Sequence, residues 1–112
     1  MPKKFRVEIT RTAERDVVAI YEYLERRSPQ RALKWFAEIE RQAQTLTQHP
    51  SRCAVIPETD EIGVEYRHLI YGEYRTVFRI DGSVVYIVRV IHGARLLDTE
   101  SLETRELPDR DD

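Results

Sequence analysis

The stretch that most limits the fold is "EYRTVFRIDGSVVYIVRVIH", residues 73–92, in which two runs rich in Val, Ile, Tyr and Phe flank Asp81-Gly82. It predicts a β-hairpin. β-Branched and aromatic side chains suit a pleated, half-buried surface, and an Asp-Gly pair supplies the positive φ angles of a type I′ turn. With Asp81-Gly82 as the loop, Ile80 opposes Ser83, Phe78 opposes Val85, Thr76 opposes Ile87 and Tyr74 opposes Arg89. That face is apolar and is expected to be packed. The other face pairs Arg79 with Val84, Val77 with Tyr86 and Arg75 with Val88, with His92 near its end. It is expected to be open or thinly covered, its arginines either solvated along their stems or gathered to grip an anion.

A two-stranded ribbon cannot hide its apolar face alone, so the rest of the chain must cover it. "FRVEIT" alternates Phe5, Val7 and Ile9 with polar residues and predicts a first strand. The period then changes. Val17, Ile20, Tyr21 and Leu24 fall at i, i+3, i+4 and i+7, one stripe of a helix with Thr12 as its expected N-cap. Ser28 and Pro29 open a second helix, since proline at the first helical position needs no amide hydrogen. That helix carries Ala32, Trp35, Phe36, Ile39, Ala43 and Leu46 on one side and is expected to run to Gln48, before "HP" at 49–50. Residues 50–64 read as a loop with a short extended piece at "CAVI", and "EYRHLIY" as another strand. The expected fold is α+β, in the order β-α-α-β-β-β, with an antiparallel sheet packed against an N-terminal helical hairpin.

The length of 112 residues suits one compact domain, expected over 1–97. Residues 98–112 read as an acidic, flexible tail. From residue 96 onward seven acids face two arginines, a balance of −5, so the net −2 of the chain leaves +3 on residues 1–95. A body this mildly basic is unlike a free-standing nucleic-acid binder. The tail could fold back on the basic face. A lone cysteine, Cys53, and the lack of an apolar leader in "MPKKFRVEIT" point to the cytoplasm. No apolar run is long enough to span a membrane. His49, His68 and His92 have no metal-ligand spacing, so neither metal nor cofactor is expected.

Three patterns carry a resemblance: "YEYLERRSPQRALKWFAEI", "LTQHPSRC" and "YRHLIYGEYRTVFRIDGSVVYIVRVIHGAR". In this order, over residues 5–97, they resemble the RelE/ParE superfamily, the toxins of type II toxin–antitoxin modules. RelE-like members cut messenger RNA on the ribosome with a basic set of side chains. On that branch Arg75, His92 and Arg95 would be catalytic, with His68 a second candidate acid or base. Yet no lysine follows Lys34 and no tyrosine follows Tyr86. The closing "VIHGAR" and the Ser-Pro joint are closer to ParE-like members, which poison DNA gyrase by binding rather than chemistry.

The ParE reading implies a growth-inhibiting gyrase poison in a heteromeric complex with its antitoxin, which would lay a C-terminal helical segment on it. Target contacts are expected at Arg67, Arg75, Arg79, Tyr86 and Arg95, and antitoxin contacts at Tyr21, Leu24, Trp35 and Arg89. The alternatives are a ribosome-dependent messenger-RNA endoribonuclease and a non-toxic interaction module of the same fold.

Overall fold

Thr10, buried at the end of the first strand, starts the helical half of the molecule. In the computed structural model, which describes residues 3–95, its Oγ1 accepts the Ala13 N–H at 3.1 Å and donates to the Val88 carbonyl at 3.2 Å. Thr10, not Thr12, is therefore the N-cap of α1 (Arg11–Arg27). Its backbone N–H, bonded to Ile87 O, ties the helix start to the sheet. Capping and sheet pairing converge on one residue, a coupling that local sequence cannot display.

Ser28 serves both helices. Its N–H closes α1 on Leu24 O, and its Oγ accepts the Arg31 N–H at 3.3 Å to open α2 (Pro29–Thr45). Its extended backbone, φ −162°, is what a residue before proline prefers. α2 ends at Thr45, short of the expected Gln48. The chain then bends so that Leu46 is fully buried. Arg52, in a short 3₁₀ turn (Pro50–Arg52), donates to the Gln48 and His49 carbonyls at 2.9 and 3.1 Å, satisfying acceptors that a helix end leaves open.

The sheet has the order β1-β4-β3-β2, with β1 Arg6–Ile9, β2 Arg67–Tyr71, β3 Tyr74–Asp81 and β4 Val84–His92. It is mixed rather than wholly antiparallel, because β1 runs parallel to β4, Arg6 beside Val84 through Ile9 beside Ile87. An alternating pattern reveals that a strand has two faces but not which way its neighbour runs. On the helical side Phe78, Val85, Ile87 and Val90 pack with Ala13, Leu24, Trp35, Ile39 and Leu46. Each large apolar side chain fully buried there contributes about 1.5–3 kcal/mol.

Two features overturn the expected hairpin register. The closing pair is Asp81 with Val84, leaving Gly82-Ser83 as the loop. Gly82 has φ 62° and Ser83 is not among the positive-φ residues, the pattern of a type II′ turn with glycine first. Farther along, Phe78 pairs with Ile87 but Val77 pairs with Arg89, so Val88 is an extra residue, a β-bulge. The bulge flips parity. Val85 and Ile87 face the helices before it, Val90 after it, and His92 lands opposite Tyr74 instead of on the arginine face.

The second face is not open either. Ile56 and Tyr66 cover Val77, Val88 and Ile91, all 5% exposed or less, as a second small core. The covering segment is pinned by Ile56 N–H to Tyr66 O and His68 N–H to Ala54 O, with Val55 bridged to Arg67. The extended piece at "CAVI" is thus present. A four-residue helix, α3 (Thr59–Ile62), follows it where the sequence pattern suggests only loop. The expected acidic tail lies outside the described residues.

Candidate functional site

The strand arginines are spoken for. Arg75, 4% exposed, sets its two terminal nitrogens on Glu58 Oε1 and Oε2 at 3.2 and 2.5 Å and donates to the Arg95 carbonyl at 2.6 Å. Arg89 holds Asp16 of α1 in the same two-pronged way, at 2.8 and 3.1 Å, and the Val90 N–H adds a third donor to that carboxylate. Arg67 donates to the Ser51 and Cys53 carbonyls and to Glu65. Arg79 reaches Asp81 at 3.3 Å and lies over the Tyr86 ring at 5.9 Å. The expectation of a guanidinium-studded open face is corrected on both counts, burial and neutralisation. The acids Glu58 and Asp16 come from segments far away in sequence, so no local pattern could pair them.

Arg75, His68 and His92 do converge. With Glu58, Glu73 and Tyr74 they line a cleft of 370 Å³ at the end of the sheet; Arg95 is not in its lining and meets Arg75 through its carbonyl. His68 Nδ1 lies 3.5 Å from Arg75 Nη1, and burial, reinforced by that cation, holds the His68 pKa below its usual value. His92 is exposed, accepts the Ala94 N–H on Nδ1 and lies 3.7 Å from Glu73 Oε1. Its ring meets Tyr74 edge-on at 5.7 Å, and Tyr74 meets Trp35 at 5.6 Å. Cleaving RNA through its 2′-hydroxyl needs a cation free to meet the phosphorane charge. Here the Arg75 charge is matched by Glu58, and Glu73 adds a further negative group. Among the described residues no cluster of His, Cys, Asp or Glu could hold a metal ion. No helix there is long and apolar enough to cross a membrane.

The helical side holds the surface that sequence reasoning missed. Ile9, Val18, Leu33 and Phe36 are 38%, 55%, 60% and 37% exposed. Two adjoining hollows of 530 and 470 Å³, the first between the helices and the β1 edge of the sheet, the second along α1 and α2, share Val17, Val18 and Phe36. Of the expected antitoxin contacts, Tyr21 lines this groove, its ring edge-on to Phe36 at 6.1 Å. Leu24, Trp35 and Arg89 are buried. The signal open to a sequence reader was Val18 and Leu33, apolar residues off the core stripes of their helices.

Comparison with known proteins agrees with the fold. The family described as ParE toxin of type II toxin–antitoxin system, parDE, matches over residues 7–97. A solved chain from a chromosomal ParDE toxin–antitoxin system of P. aeruginosa is similar with a TM-score of 0.62 and 26% identity, over 80% of this chain and 97% of that one. No curated protein matches.

Proposed function

The chain belongs to the ParE toxin family of type II toxin–antitoxin systems, and from that premise we propose that it arrests growth by binding DNA gyrase and is neutralised by an antitoxin seated on its helical face. The observation that carries the binding half is the exposed apolar groove between α1 and α2. Scattered surface hydrophobics need no explanation, but a continuous apolar groove rimmed by polar groups marks an interaction site. Ile9, Val18, Tyr21, Leu33 and Phe36 are the antitoxin contacts of this reading.

For the target, binding is favoured over chemistry because Arg75, the buried cation of the sheet-end cleft, is already paired with Glu58. Arg95 is exposed, and Tyr86, Arg67 and Arg79 are partly exposed, the two arginines by about a fifth of their side chains; these four form the target surface of this proposal. Arg75 acts behind them, holding the Arg95 carbonyl. The test runs purified chain with gyrase and supercoiled DNA beside a coupled translation reaction. Cleaved gyrase–DNA complexes should accumulate while translation proceeds. Blocked translation with intact gyrase turnover would overturn the gyrase reading in favour of the ribosome-dependent nuclease. Silence in both, with no growth arrest on induction, would leave a non-toxic interaction module.

A further inference from the structure

Resting on the reading of the groove as the antitoxin seat, we infer that this seat is built for a cationic amphipathic helix and that acids along its rim select the partner by charge. The two hollows share Val17, Val18 and Phe36, so they form one continuous groove. Among the described residues, every charged side chain lining it is a glutamate: Glu8, Glu14 and Glu40 in one part, Glu22 and Glu25 in the other. No described Lys or Arg lines either. Glu8 is matched by Arg6 Nε at 2.8 Å, but the other four have no ion-pair partner among the described residues.

The helical repeat explains the layout. Glu14, Val18, Glu22 and Glu25 follow at i, i+4, i+8 and i+11, one stripe of α1, while Leu33, Phe36 and Glu40 follow at i, i+3 and i+7 on α2. An apolar floor between two acidic banks is the negative image of a helix with an apolar stripe flanked by Lys or Arg. Other occupants fit less well. The chain's own residues 96–112 carry a balance of −5 and would be repelled. A second copy meeting groove to groove would set like banks of glutamates against each other.

The test works with model peptides, whatever the antitoxin's own sequence. Two peptides of about 20 residues, long enough for marginal helicity, share one leucine stripe and differ only in a Lys or a Glu polar face. Anisotropy titration with the full chain at low salt should favour the Lys peptide by about tenfold, from several exposed pairs. That advantage should fade near 1 M salt, where the Debye length is about 3 Å. The double variant Glu14→Lys/Glu40→Lys, which brings the unpaired lining charge from −4 to 0, should erase the preference, and Val18→Asp should remove both peptides. Equal binding, or preference for the Glu peptide, overturns charge selection and leaves the seat standing. No binding, or binding indifferent to Val18→Asp, overturns the seat as well. A concentration-dependent dimer dissolved by Val18→Asp in sedimentation gives the groove to a second copy and overturns the inference. None of these outcomes touches the gyrase assay.

Discussion

The cleft at the sheet end and the groove along the helices differ in what they leave unsatisfied. In the cleft, the side chains of Arg75 and Glu58 are 5% and 6% exposed and neutralise one another. Along the groove, Val18 and Leu33 are more than half exposed, and four glutamates lack ion-pair partners among the described residues. In the first region the chain matches its buried guanidinium charge with its own carboxylate; the second, on the proposed reading, receives another molecule. Richness in charged residues pointed only to the first. A buried cation matched by its own carboxylate has little charge left to offer a partner, whereas apolar surface left in water is an unspent source of binding energy.

Variants can break or sharpen this contrast. Arg75→Ala strands the Glu58 carboxylate in a nearly dry site and should lower unfolding free energy by about 3–5 kcal/mol, read from urea melts. The double variant Arg75→Met/Glu58→Met should lose less than Arg75→Ala does, because no charge is left unpaired. A larger loss in the double would mean the pair does more than neutralise itself. Asp16→Ala removes the acceptor of Arg89 and of the Val90 N–H. It should cost about 2–3 kcal/mol in the same melts, with hydrogen exchange rising where α1 meets β4. Thr10→Ala should cost about 1 kcal/mol as a lost cap.

The pH dependence of the cleft is smaller. Burial, then Arg75, lowers the folded pKa of His68, so between that value and the unfolded one the unfolded chain binds more protons. Its contribution is fully present above the ordinary histidine pKa of about 6.5 and is lost as pH falls toward the folded value. The slope of stability below neutrality should shrink in His68→Gln; an unchanged slope would remove the assignment. Smallest of all, Val18→Asp should shift stability by no more than about 0.5 kcal/mol while abolishing peptide capture. A large loss of stability there would make Val18 part of the core and erase the contrast.

Local patterns exposed the helices and strands because periodicity is a property of neighbours in sequence. The stripe through Val17 and Leu24, the Ser28-Pro29 joint and the apolar runs of the hairpin each follow from spacing alone. The hairpin register did not. Asp81-Gly82 and Gly82-Ser83 are both admissible loops, and only the assembled sheet selects the one in which glycine alone takes positive φ.

What the amino-acid order determined unaided was therefore the main elements, α3 excepted, their sequence along the chain and a family resemblance carried by their spacing. Tertiary structure alone decided the parallel docking of β1 on β4, the bulge at Val88 that turns His92 to the helical side, and the pairing of Arg75 with Glu58 and Arg89 with Asp16. The division has a physical cause. A helix or strand is chosen by interactions within a few residues, whereas whether a guanidinium stays free depends on which distant carboxylate the fold brings within hydrogen-bonding reach, about 3 Å.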